Sequence, residues 1–216
     1  MPQTRGDQDR QSVREHLVRL AARWCCVQAG EERLDEHVLP VEQVPAHGPD
    51  SPRGGAENLA LEFVDRGVHS VSLRFAPTVH GAGDQGFIAA IAAIARRTGV
   101  SGYPGDGTNR WAAVHRSDAA HLVALSLEKA PAGARVHAVA EKGVPTREIA
   151  EAIGRTFDLP VTSIAADDVP DHFGWIGAFF AMDLTATSAV TQELLAWTPA
   201  GPTLIEDLDT GAYSAH

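Results

Sequence analysis

Residues 105–120, which read GDGTNRWAAVHRSDAA, are the most informative stretch of the chain. A glycine turn around Asp106 is followed by Arg110, by a short apolar run from Trp111 to Val114, and by a helical pattern that begins near Asp118. This order predicts a turn, a strand and the start of a helix. Arg110 is a fork-shaped donor suited to a phosphate, a carboxylate or a sugar hydroxyl. We expect Asp118 to stabilise the positive end of the helix, a capping role that we favour over a functional one.

Helices and strands alternate on both sides of this stretch. We predict strands at 68–75, 111–114, 135–140 and 161–164, and helices at 57–66, 87–97, 117–129, 173–182 and 186–197. Ser117 is expected to cap its helix, and Pro145 to open a further helix. Because helices of about ten residues or more separate the strands, the pattern indicates an α/β fold with crossover connections.

The composition is that of an ordinary globular chain. Of its 216 residues, 44% are apolar and 21% are charged. The formal net charge of −10 repels both a phosphate backbone and an anionic bilayer, so we expect neither a nucleic-acid nor a membrane partner. A small-molecule substrate is the expected partner.

The first fifty residues differ in character from the rest. One apolar stripe of a helix is formed by Val13, Leu17, Leu20, Trp24 and Val27. A loop rich in proline and glycine follows at 31–55. We therefore divide the chain into an N-terminal helix and loop at 1–50 and a regular region at 51–216. The stripe is expected to pack on the domain, and a homodimer formed through it is the alternative.

Cysteine usage and the N-terminus favour a cytoplasmic protein. Cys25 and Cys26 are adjacent, and neighbouring residues form a disulfide only with strain. The polar N-terminus predicts no export signal, and no apolar run approaches the roughly 20 residues that span a bilayer.

Several motifs support less than they first suggest. Residues 81–86 read GAGDQG, a literal G-x-G-x-x-G, but they stand too far from the preceding strand for a dinucleotide turn. We interpret them as a loop that needs glycine freedom. The ten histidines lack zinc spacing on a single element, so no metal site is expected. The sequence contains no G-x-S-x-G motif, so we predict no nucleophilic serine of that type.

The chain from about residue 51 to 210 resembles the extended short-chain dehydrogenase/reductase family, also called the NAD-dependent epimerase/dehydratase family. The matching segments are, in order, Arg74, VHGAG at 79–83, GDG at 105–107, Arg110, VHRSD at 114–118, HAVA at 137–140, TREI at 146–149 and LLAWTP at 194–199. The resemblance implies a partial Rossmann-like sheet with a C-terminal substrate-binding subdomain. It also implies NAD or NADP as the cofactor, and an oxidoreductase or epimerase acting on a small or sugar-like substrate.

The same resemblance implies a set of site residues. The nicotinamide end of the cofactor would be bordered by Pro77, Thr78, Val79 and His80. The substrate would be held by Arg110 and His115. His80 stands where the family usually has a tyrosine.

Two family features have no counterpart in the sequence. The first fifty residues contain no glycine-rich diphosphate turn, and the expected tyrosine with a lysine four residues later is replaced by SPRGGAE at 51–57. The catalytic residues therefore stay unassigned. Three alternatives follow: a C-terminal fragment of a family member, an atypical member without the usual chemistry, and a smaller α/β ligand-binding or interaction module.

Overall fold

The computed structural model describes residues 52–214, with side chains from residue 56 onward. The predictions for residues 1–50, including the apolar stripe and the two cysteines, lie outside the described residues. The described helices are α1 (Pro52–Glu62), α2 (Phe87–Thr98), α3 (Arg116–Lys129), α4 (Thr146–Phe157), α5 (Val169–Phe173), α6 (Gly177–Phe180), α7 (Ala189–Leu195) and α8 (Leu204–Asp209). The described strands are β1 (Ser72–Phe75), β2 (Thr78–His80), β3 (Ser101–Pro104), β4 (Arg110–His115), β5 (Arg135–Ala138), β6 (Glu141–Pro145) and β7 (Val161–Ile164).

Most of the strand pairs are parallel, which confirms the predicted α/β class. β1 pairs in parallel with β5, β3 with β7, and β2 with β4. β4 also pairs antiparallel with β6, which makes it the central strand of a three-stranded sheet. The parallel register sets His80 directly opposite His115.

β4 is buried on both faces, which explains its uninterrupted apolar sequence. Trp111 and Ala113 belong to a core that includes residues of α2, α4 and α8. Ala112 and Val114 belong to a second core that includes residues of α3 and β5. Since successive side chains of a strand point to opposite faces, this one strand joins the two cores.

A largely buried group of ion pairs connects α1 to the sheet formed by β1 and β5. The Glu57 carboxylate accepts from Arg74 at 2.7 and 3.2 Å and from Arg135 at 2.6 Å. Arg74 lies on β1 and Arg135 on β5, so one carboxylate connects three elements. Burial alone raises the pKa of Glu57, but the hydrogen bonds and charges of the two arginines outweigh it and lower that pKa.

The structure corrects several predicted boundaries. The predicted strand at 68–75 is shorter, and the three short strands β2, β3 and β6 were not predicted. The predicted helix at 173–182 is divided into α5, a 3-10 turn at Gly174–Ile176 and α6. Pro145 precedes α4 instead of opening it. No helix among residues 52–214 is both long and apolar enough to cross a membrane.

Candidate functional site

The residues predicted to border the cofactor lie on or just before β2. Thr78 and His80 are 2% and 1% exposed. The Thr78 hydroxyl and the Nε2 atom of His80 have no hydrogen-bond partner among the described residues. Buried polar groups are normally paired, so these two atoms mark β2 as a place where a further group could bind.

His80 lies at the centre of a cluster of titratable side chains. Its Nδ1 atom is 2.6 Å from Oδ2 of Asp207, which comes from α8. Its Nε2 atom is 3.7 Å from Oε2 of Glu141, at the start of β6. His115, at the end of β4, places its Nε2 atom 3.7 Å from the same Asp207 oxygen. We call His80, His115, Glu141 and Asp207 the His80 cluster.

The hydrogen bonds imply opposite tautomers for the two histidines. Nδ1 of His115 accepts from the backbone N–H of Ser117 at 3.3 Å, so the hydrogen of a neutral ring lies on Nε2, toward Asp207. His80 donates from Nδ1 to Asp207, which leaves a lone pair on Nε2 toward Glu141. The prediction that Ser117 caps α3 is therefore wrong, because His115 is the capping side chain.

Burial shifts the proton affinities of His80 and Glu141 in opposite directions. Desolvation lowers the pKa of His80, although the hydrogen bond and charge of Asp207 oppose it. Desolvation raises the pKa of Glu141, and the charges of Glu206 and Asp207 add to this. Compared with the same side chains in water, the fold therefore favours the neutral imidazole of His80 and the neutral carboxyl group of Glu141.

The loop at 81–86 lies beside this cluster. It follows β2 directly, so the expectation that it stands far from the preceding strand is wrong. Gly81 has a φ of 139° and Gly83 a φ of 80°, which confirms that the loop needs glycine conformations. The carboxylate of Asp84 accepts from the backbone of Gly86 at 2.6 Å and from the hydroxyl of Tyr213 at 3.0 Å. Because the Asp84 carboxylate lies at the N-terminus of α2, its negative charge disfavours a phosphate at that position.

Arg110 lies at the other end of β4 from His115. Its backbone N–H donates to Asp183, and no described group accepts from its exposed guanidinium. Since β4 has six residues and a strand rises about 3.3 Å per residue, roughly 16 Å separate Arg110 from His115. The structure brings His115 together with His80 but leaves Arg110 apart.

Asp118 also differs from its expected role. It lies in the first turn of α3, but its carboxylate accepts from the backbone N–H groups of Ala200 and Gly201, at 3.1 and 2.9 Å. It therefore anchors the loop before α8 instead of capping its own helix.

The acidic residues of the site were not predicted from the sequence. Glu141, Asp207 and Asp84 reach the same region from distant parts of the chain, and 127 positions separate His80 from Asp207. No local pattern signals such pairings. Among residues 52–214, no group of three or more histidine, cysteine or acidic side chains has the geometry to hold a metal ion.

We compared the chain with known proteins. No family model matches it. An uncharacterised protein of Schizosaccharomyces pombe is 44% identical over 173 residues, which are 80% of this chain and 58% of that protein. The chain thus spans less than two thirds of this relative.

Several solved structures resemble this chain at low sequence identity. A dTDP-glucose 4,6-dehydratase from Bacillus anthracis in complex with NAD matches with a TM-score of 0.59 and 15% identity, over 86% of this chain and 57% of the dehydratase. RMD from Pseudomonas aeruginosa, complexed with NADPH, matches with a TM-score of 0.61 and 16% identity, over 88% of this chain and 64% of that chain.

The chain has the fold of the NAD-dependent epimerases and dehydratases. This confirms the predicted Rossmann-like α/β class and, at the level of the fold, the resemblance from which the site residues were chosen. Within this epimerase/dehydratase fold, the chain corresponds to only part of each solved structure.

Proposed function

We propose that this chain is an NAD(P)-dependent oxidoreductase or epimerase-like protein acting on a small or sugar-like substrate, with the nicotinamide end of the cofactor at β2. The proposal rests on the Thr78 hydroxyl, which is buried and has no hydrogen-bond partner among the described residues. Thr78 lies just beyond the carboxyl end of the parallel strand β1. Ligands of open α/β sheets bind outside the carboxyl ends of the strands.

The residues around β2 fit a nicotinamide group. A threonine hydroxyl both donates and accepts, which suits a carboxamide, and the buried ring of Pro77 adds an apolar wall. When bound, the cofactor supplies hydride transfer. Thr78 would orient the carboxamide, and Arg110 would bind an anionic or hydroxyl-bearing part of the substrate.

The proposal is tested by cofactor binding to the full chain. We expect NAD(H) or NADP(H) at millimolar concentration to raise the melting temperature by several degrees. Thr78→Val should lose at least half of that rise, since it removes the hydroxyl and keeps the shape. Thr162→Val, an exposed position on β7, is the matched control and should keep the full rise.

The absence of a shift with all four cofactor forms would contradict the proposal. An equal shift in Thr78→Val and Thr162→Val would contradict the placement at β2 while leaving cofactor binding in place.

A further inference from the structure

The charge around His80 is unbalanced. Asp207 faces it from α8, Glu141 from β6 and Asp84 from the loop after β2, whereas the other facing group is the imidazole of His115. The nearby cation Arg116 donates to the carbonyl oxygen of Ala82. Three carboxylates therefore approach one buried imidazole whose protonation is itself disfavoured by desolvation.

The cluster is also incomplete on one side. His80 is fully buried, yet its Nε2 atom has no hydrogen-bond partner among the described residues, and the Glu141 oxygen in front of it stands at 3.7 Å. Oε2 of Glu141 instead accepts from the backbone N–H of Leu204 at 2.8 Å. Two residues before His80, the Thr78 hydroxyl is buried and unpaired as well. Both atoms belong to β2 and have hydrogen-bonding capacity left for a further group.

We propose that the carboxylates around His80 select the oxidised, positively charged nicotinamide ring over the reduced ring, and that binding of the oxidised ring releases a proton from the His80–Glu141 pair. The inference rests on the proposed function, because it takes β2 as the nicotinamide site. The two redox forms differ at the ring by one hydride, and hence by one positive charge. The rest of the cofactor is chemically the same in both forms.

The proton balance follows from the cluster itself. Desolvation raises the pKa of Glu141, and the charges of Glu206 and Asp207 add to this, so its carboxyl group holds a proton more strongly than an exposed glutamate does. A positive ring nearby favours the carboxylate and disfavours protonated His80. The Glu141 O–H bond breaks, the proton passes to the buffer, and no electron is transferred. Such a site favours the cofactor form that accepts a hydride.

Isothermal titration calorimetry of the full chain at pH 6 tests both the preference for the oxidised form and the release of a proton. Titrations with the oxidised and the reduced form, in two buffers of different ionisation enthalpy, give the affinities and the number of protons released. We expect the oxidised form to bind roughly three- to tenfold more tightly, as one unit charge in a partly screened site allows. It should also release more protons than the reduced form, up to about one.

Glu141→Gln should abolish the extra proton release while the reduced form still binds. Glu128→Gln, an exposed position on α3, is the matched control and should behave as the wild type. If Glu141→Gln does not fold, Asp84→Asn keeps an acceptor for the Gly86 N–H, removes one negative charge and should lower the preference for the oxidised form.

Three results would overturn the inference: equal or tighter binding of the reduced form, equal proton release with both forms, or unchanged release in Glu141→Gln. These leave the proposed function standing. If neither form binds, the proposed function and this inference fail together.

Discussion

His80 and Glu141 illustrate how burial decides charge at the scale of single residues. Both are ordinary ionisable side chains, but each loses solvent in the fold, and their pKa values shift in opposite directions for that reason. Asp207 holds His80 through a 2.6 Å contact, so the imidazole is fixed even when it is neutral. The cluster therefore combines a rigid geometry with an unfavourable carboxylate at Glu141.

Replacing Glu141 should stabilise the protein at neutral pH. A group with a raised pKa stabilises the fold most below its ordinary value of 4.5, and that contribution is lost as the pH rises through the folded-state pKa. Glu141→Gln avoids this loss and still offers an oxygen to Leu204. We expect its melting temperature to rise by about 2–4 °C at pH 7, equivalent to about 1 kcal/mol. The gain should vanish at pH 4.

Thermal unfolding followed by circular dichroism across this pH range measures the effect, with Glu128→Gln as the control. A melting temperature that falls at pH 7, or a gain that persists at pH 4, would show that Glu141 is not held in an unfavourable ionised state.

At the scale of elements, Glu57 is the clearest determinant of how helix and sheet are joined. It connects α1 to β1 through the buried Arg74 and to β5 through the partly buried Arg135. Removing one partner of a buried ion pair leaves uncompensated charge, which costs roughly 3–5 kcal/mol. We expect Glu57→Gln to lose an amount of that order in its free energy of unfolding at pH 7.

The pH dependence of the Glu57 effect has the opposite sign to that of Glu141. Because the pKa of Glu57 is lowered in the fold, its stabilisation is present above its ordinary value of 4.5 and is lost as the pH falls through the folded-state pKa. Urea unfolding of Glu57→Gln and of the exposed Glu62→Gln on the same helix measures both effects. Equal free energies for the two variants would contradict the structural role.

The elements that could be predicted from sequence are those with a long repeating pattern. The helix expected at 87–97 is found at Phe87–Thr98, because its alternating Ile and Ala residues define a buried face over three turns. β2, β3 and β6 are three to five residues long, and Pro and Gly interrupt the last two, so they leave no periodicity to detect. The cap formed by His115 is a local contact with Ser117, but histidine is not among the usual capping residues. The anchoring role of Asp118 depends on backbone groups more than 80 positions away, which only the tertiary fold brings close.

At the scale of the whole molecule, β4 organises the fold and the site together. Its two faces belong to separate cores, and its end places His115 beside His80. The motif that identified the fold in the sequence is this same strand with its flanking turn and helix. The Asp207 side of the cluster, in contrast, exists only because α8 packs its leucines into the first core, with Leu204 and Leu208 fully buried.

Intermolecular nuclear Overhauser effects would show whether the nicotinamide ring lies against β2. With methyl-labelled full chain and saturating NAD(P), we expect contacts from the nicotinamide ring protons to the methyl groups of Thr78 and Val79. Contacts confined to methyl groups of other elements, with none to β2, would contradict it.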